Sequence, residues 1–122
     1  ISSCLDLFGD KWTLLIIRDL LYFKERTFKD FNTAAENIST ARLTDRLKKV
    51  EAMGLATKEK HPTNKKVFIY RLTEKGKSLA PIIIEMIIWG NKNLSAHVSE
   101  ESKIFAKKLE LDKDAILKSL QE

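Results

Sequence analysis

From Ile38 to Leu55 the chain reads Ile-Ser-Thr-Ala-Arg-Leu-Thr-Asp-Arg-Leu-Lys-Lys-Val-Glu-Ala-Met-Gly-Leu, and its polar side chains suit recognition rather than bond making. Arg42, Arg46, Lys48 and Lys49 are donors of fixed positive charge. Such groups hold phosphate, and arginine adds a planar fork that matches the O6/N7 edge of guanine. Set on a helix at about 100° per residue, Leu43, Leu47, Val50 and Gly54 share one face. Ala41, Asp45, Lys48 and Lys49 point the opposite way, with Arg42 and Thr44 on the flanks. The small Ala41 permits close approach to base edges, leaving Arg42 to reach guanine and the lysines to reach phosphate. A second basic group follows at His61-Pro62-Thr63-Asn64-Lys65-Lys66, the tip of a ribbon that returns as Val67-Phe68-Ile69-Tyr70-Arg71-Leu72. The expected base-reading set is therefore Thr40, Ala41, Arg42, Thr44 and Asp45. The expected phosphate set is Ser39, Arg46, Lys48, Lys49, Lys65 and Lys66, with double-stranded DNA as the partner.

Charge placement supports that expectation. The formal net charge is +5 over 122 residues, and the span from Thr40 to Lys66 holds eight basic residues against three acidic ones, enough to account for all of it. A cationic segment on an otherwise balanced chain is an electrostatic footprint for a polyanion. The competing explanation is a solvated lysine-rich face, which sheet edges also use.

Other chemistries find little support. His61 and His97 are the only histidines, and neither has a cysteine or acid at ligand spacing on a shared helical face. There is no glycine-rich phosphate loop, nucleophile elbow or Ser/His/Asp set. The acid pairs Glu100-Glu101 and Asp112/Asp114 sit where helix N-termini favour carboxylates. An enzyme is not expected, nor a metal or cofactor. Cys4 is the single cysteine, which excludes an internal disulfide and fits a reducing cytosol. It reads as a buried structural thiol. No apolar run reaches a membrane span, and Ile-Ser-Ser-Cys is no secretory leader, so a cytoplasmic location without membrane contact is expected. The first residue is not Met, and further residues are expected upstream.

The remaining sequence must position these groups. Ser2 or Ser3 caps a short helix with Leu5, Leu7 and Phe8, stopped at Gly9, and Asp10 caps a second, Trp12 to about Tyr22, apolar on most sides. Trp12 reads as a core anchor. Phe23-Lys24-Glu25-Arg26 is a polar break, and Thr27 caps a third helix carrying Phe28, Phe31, Ala34 and Ala35. Glu36-Asn37 makes a tight turn and Ser39 caps the basic helix, so the pair forms a helix-turn-helix. Ala56 to Lys60 and Val67 to Tyr70 form a hairpin with Phe68, Tyr70 and Leu72 facing inward. Thr73-Glu74-Lys75-Gly76 opens a helix running to roughly Ala96, bent at Pro81. Its segment Ile82 to Trp89 is apolar almost all round, so a second copy of the chain is expected to cover it. Leu5, Phe8, Ile83, Ile84, Ile87, Ile88 and Trp89 are the expected dimer contacts. Ser99 to Leu111 and Asp112 to Leu120 read as two short helices that extend this surface. The fold class is mainly α with a small β-hairpin: a winged helix-turn-helix with N- and C-terminal dimerisation helices.

The ordered set of motifs resembles the HxlR-type family of bacterial transcriptional regulators, which are MarR-like winged helix-turn-helix dimers. The resemblance rests on Leu5-Asp6-Leu7, Gly9 to Leu21, Phe28, Ile38-Ser39, Leu43-Thr44, Arg46-Leu47, Gly54-Leu55, His61-Pro62, Tyr70, Leu72 to Gly76, Pro81 and Trp89-Gly90. It implies that Thr40 to Met53 is the recognition helix, that 58–70 is the wing, and that the terminal helices make a homodimer on a palindrome-like operator. On that basis 1–98 is the DNA-binding and dimerisation domain, and 99–122 a helical extension of the same folded unit. Three features depart from the family. Cys4 stands where a small apolar residue is usual, rather than further upstream before a proline, so redox sensing is not carried over to it. Lys65-Lys66 replace wing prolines, and the tail after Ser99 has no counterpart. Two alternatives stay open at this point: a winged-helix module for protein–protein assembly, and a regulator gated by a small apolar or electrophilic effector held near Trp12, Phe28 and the dimer helices.

Overall fold

The computed structural model describes residues 1–34 and 36–122 as seven helices and three strands. Ala35, expected on the third helix, lies outside the described residues. They divide into two compact units, Ile1–Lys77 and Ser78–Glu122. The helix after Pro81 thus groups with the tail, and the division falls earlier than the 98/99 boundary that the resemblance implies.

The first unit begins with α1 (Ser2–Phe8), whose residues are exposed or half-buried. Both serines lie inside it, and Ile1 precedes it without a side-chain cap. Cys4 is exposed, which corrects the expectation of a buried thiol: α1 packs too little of itself to cover any side chain. Asp10 caps α2 (Lys11–Phe23), the core helix, which buries Thr13, Ile16, Ile17, Asp19, Leu20 and Leu21. Trp12 is half-buried, so it lines the core without filling it. Thr27 and Asp30 form a reciprocal capping box at α3 (Phe28–Asn32), with Thr27 N donating to Asp30 Oδ2 at 2.9 Å and Asp30 N to Thr27 Oγ1 at 3.2 Å. After a turn through Asn37 (φ 55°), Ser39 caps α4 (Thr40–Ala52).

Leu43, Leu47 and Val50 of α4 are almost fully buried, each worth roughly 1.5–3 kcal/mol of burial. Met53 then caps α4 and Gly54 turns the chain at φ +72°, a left-handed backbone that suits glycine. The wing is β2 (Ala56–Lys60) paired antiparallel with β3 (Phe68–Leu72), Lys58 opposite Tyr70 and Lys60 opposite Phe68. A third strand, β1 (Arg26–Thr27), pairs with the other edge of β3, giving the order β1-β3-β2. The polar break expected at Phe23 to Arg26 therefore ends in a strand. That makes β3 central, and Ile69 is buried along with Tyr70 and Leu72. Exposed Arg71 bridges Glu25 at 2.5 Å and Glu59 at 2.7 Å across the sheet. The short α5 (Glu74–Lys77) closes the unit.

In the second unit, α6 (Ala80–Asn93) starts at the proline instead of bending there. Pro81 stands in the first turn, where a missing N–H costs nothing because that donor has no helical acceptor. A 3-10 turn (Ser95–His97) leads to α7 (Glu100–Gln121). Helix α7 breaks at Asp112 (φ −154°, ψ 76°), whose Oδ1 accepts from Ala115 N at 3.1 Å, so the expected two helices meet end to end at that residue. It runs antiparallel along α6: Asn91 Nδ2 donates to Ser102 Oγ at 3.3 Å, and Lys113 pairs with Glu85. No helix among the described residues is long and apolar enough to cross a membrane, and no three His, Cys, Asp or Glu residues cluster as metal ligands.

Candidate nucleic-acid interface

Helix α4 presents Thr40, Ala41, Arg42, Thr44, Asp45 and Lys48 to solvent, opposite its buried Leu43/Leu47/Val50 face. Several polar groups of its first turn are engaged within the chain. Ser39 Oγ accepts from Arg42 N at 3.2 Å, Thr44 Oγ1 donates to Thr40 O at 2.8 Å, and Thr40 Oγ1 donates to Asn32 Oδ1 at 3.4 Å. These bonds fix the helix start and tie it to the end of α3. Arg42 and Lys48 are exposed and form no ion pair among the described residues.

Arg46 and Lys49 are placed differently. Arg46 Nε lies 2.8 Å from Asp10 Oδ2, and Arg46 also pairs with Asp45. Lys49 Nζ lies 3.2 Å from Asp10 Oδ1. Asp10 is at the same time the cap of α2, accepting from Thr13 N at 3.1 Å and Thr13 Oγ1 at 2.7 Å. Partial burial opposes its ionisation, but the Thr13 hydroxyl and amide with the Arg46 and Lys49 cations outweigh it, holding the carboxyl well below the usual carboxylate range. The Asp10 hydrogen bond in turn raises the guanidinium of Arg46. A carboxyl whose folded pKa is depressed stabilises the fold above its unfolded pKa of about 4, and that contribution is lost as the pH falls through the folded value. The melting-temperature gap between wild type and Asp10→Asn should therefore be full near neutrality and close with acid; a gap constant from about pH 6 to 2.5 would remove the network from the account.

A second clamp fixes the turn of the helix-turn-helix. Arg18 of α2 grips Glu36 with both terminal nitrogens, at 3.1 and 3.2 Å, and its Nε and Nη2 hold the buried Asp19 at 3.0 and 2.8 Å. Arg18 keeps the Glu36 carboxyl below its ordinary range. Helix α2 thus holds both the turn, through Arg18, and α4, through its cap Asp10. Neither partner is visible from local spacing: 36 and 39 residues separate Asp10 from Arg46 and Lys49. The available signal was weak, an acid at a cap position in a chain whose cations concentrate elsewhere.

The wing tip is closed by its own hydrogen bonds. His61 N donates to Val67 O at 2.9 Å, Val67 N to Asn64 O at 3.0 Å, and Lys66 N to Asn64 Oδ1 at 3.1 Å. Asn64 therefore builds the turn, and Lys65 and Lys66 stand exposed beyond it. Lys58 lies over the Phe68 ring at 4.4 Å, which orients a further cation on the wing.

Of the expected dimer contacts, Leu5 and Trp89 are exposed, Phe8, Ile87 and Ile88 are half-buried, and Ile83 and Ile84 are buried within their own chain. Burial removes those two from any surface. The exposed stripe of α6 is Ile82, Glu85, Met86 and Trp89, at i, i+3, i+4 and i+7 spacing, and with Pro81, Gly90 and Leu94 it lines an apolar groove of about 660 Å³. Near the helix-turn-helix, Trp12, Ile16, Phe31, Ile38 and Leu43 line a small, half-open pocket of about 20 Å³, about the space of one water.

The HxlR-like helix-turn-helix family model matches residues 7–98. The HTH-type transcriptional regulator YvaP of Bacillus subtilis is 34% identical over 91 residues, covering 75% of this chain and 83% of YvaP. BH0655 of Halalkalibacterium halodurans, also an HTH-type transcriptional regulator, is 35% identical over 89 residues, 73% of this chain and 79% of its own. Among solved structures, the redox regulator HypR in its oxidised form superposes with a TM-score of 0.68 at 29% identity, over 75% of this chain and 94% of that one. The reduced form of YodB from B. subtilis gives 0.62 at 32% identity, over 75% and 89%.

Proposed function

The chain belongs to the HxlR-like helix-turn-helix family of transcriptional regulators, and from that premise we propose that it binds a palindrome-like operator as a homodimer. One observation carries this reading: Arg42 and Lys48 stand exposed on the outer face of α4 with no ion-pair partner among the described residues, while the wing extends Lys65 and Lys66 from the same compact unit. Arg42 reads base edges, with Thr40, Ala41, Thr44 and Asp45 around it. Lys48, Lys65 and Lys66 hold the backbone. Two-fold pairing sets half-sites about one helical turn apart, ~34 to 36 Å.

A gel shift at ~150 mM salt, comparing the region upstream of its own gene with random duplex, tests the reading. Retention of the upstream fragment alone supports it. Equal indifference to both fragments, with capture of a protein partner instead, would favour the assembly module. The variants divide the roles. Arg42→Ala should cost ~1 to 3 kcal/mol and relax preference at one operator position. Lys65→Ala with Lys66→Ala should weaken operator and random DNA alike and flatten the salt slope by about 1.8. If both variants lost affinity equally on the two duplexes with the same slope change, this division of roles would be wrong.

A further inference from the structure

Arg46 and Lys49 are two of the four cations on α4, and both point at one carboxylate contributed from another helix. We infer that Asp10 is a specificity-positioning residue: it withholds Arg46 and Lys49 from the DNA backbone and holds α4 at the angle from which Arg42 reads bases. The inference rests on the DNA-binding reading above and goes beyond it, because it assigns a role in discrimination to an acid outside the interface.

Non-specific affinity follows the number of phosphates neutralised, with a salt slope near 0.9 for each. Arg46 and Lys49 are only partly exposed, at 27% and 34% of their side chains, and each is within hydrogen-bond distance of an Asp10 oxygen, so with Asp45 also on Arg46 the two cations face two carboxylates. A recognition helix carrying four free cations would bind any duplex more tightly and gain nothing at the bases. Meanwhile Asp10 is fixed at its own end by Thr13, through both amide and hydroxyl. It therefore acts as a rigid post: Arg46 and Lys49, about one helical turn apart, are held to the start of α2. That restrains rotation of α4 about its own axis, the motion that would swing Arg42 off a base edge.

Asp10→Asn isolates the charge, since asparagine caps a helix about as well as aspartate. Against wild type, its affinity for random duplex should rise about three- to tenfold at ~150 mM salt, and its salt slope should steepen by about 1. The operator-to-random ratio should fall. If Asp10 only capped α2, Asp10→Asn would leave slope and ratio unmoved, and that result would overturn the inference. Lys49→Met and Lys48→Met supply a second measurement that leaves the cap intact. Lys48→Met should reduce the slope by about 0.9 and Lys49→Met by far less. Equal reductions would show Lys49 on phosphate and likewise overturn it. If wild type bound no duplex at all, both this inference and the function beneath it would fall; wild-type binding with unaltered Asp10→Asn slopes removes this inference alone.

Discussion

Trp89→Glu should turn the proposed homodimer into a folded monomer that no longer retains the proposed operator. Trp89 is 60% exposed, and Met86 at 52% and Ile82 at 41% continue its stripe along α6. An apolar row of this kind, on a helix whose opposite side is already buried, calls for a covering surface. Glu85 lies one turn before Trp89 on the same face. A carboxylate there would be desolvated in an apolar interface, which costs several kcal/mol, and the cation on this face, Lys113, is already engaged by Glu85. Removing the indole alone commonly costs ~2 to 4 kcal/mol at a well-packed interface. Together these weaken a dimer at least about a hundredfold. Operator affinity falls with it, because each half-site then binds without the effective concentration its twin provides. Sedimentation equilibrium and circular dichroism check the two halves of the statement. The variant should keep its helical content, since the side chain touches solvent in the single chain. Ile84→Glu is the contrast: that position is fully buried, so the carboxylate would unfold the helix pair rather than separate two copies. A Trp89→Glu protein that still sediments as a dimer would move the interface elsewhere.

The elements legible in the sequence are those whose cause is local. Ser39 and Thr27 cap because their hydroxyls reach an amide three residues on, and both helices begin where that rule puts them. The inner face of α4 follows from period alone, and Leu43, Leu47 and Val50 are buried as expected. Pro81 shows where a local rule has two outcomes. Proline either bends a helix or starts one, and Ser78-Leu79 before it left the chain free to start again. The two-residue strand β1 was hidden for a different reason. A pair such as Arg26-Thr27 has no alternation to display and becomes a strand only because β3 offers it an unpaired edge.

The apolar run Ile82 to Trp89 made the same point about surfaces. Periodicity found the helix but could not divide its faces, because the covering element α7 begins some ten residues after the run. In the candidate site the division is similar. Arg42 and Lys48 are exposed on the face their angle assigned, whereas Arg46 and Lys49 are held by an acid that no spacing rule connects to them.

Gly76→Ala should be the most damaging single-methyl change in the first unit. A Cβ at Gly76 would sit 2.1 Å from the carbonyl oxygen of Leu55 and 2.8 Å from Leu72 Cδ2. The first neighbour is backbone and cannot rotate away. That carbonyl is also occupied, since it accepts from Thr73 N at 3.0 Å. Thr73 Oγ1 in turn donates to Gly54 O at 2.6 Å and accepts from Gly76 N at 3.1 Å. The segment Thr73 to Gly76 is thus docked, through glycine's bare Cα, onto the turn that ends the recognition helix and starts the wing. Relieving the clash means pulling α5 away, which breaks these bonds and loosens the junction between α4 and β2. Overpacking in a well-packed site typically costs ~1 to 3 kcal/mol, and loss of the attached hydrogen bonds adds about 1 more. In a unit of this size the melting temperature should drop by on the order of 10 °C or more. Gly54 supplies the internal control, because its demand is conformational and its surroundings are open: φ is +72° and nothing lies within 4 Å of an added Cβ. Gly54→Asn should then be far milder, as asparagine tolerates the left-handed region. Thermal melts of the two variants side by side decide the matter: equal losses would mean that backbone freedom, not close approach, fixes glycine at both ends of this junction.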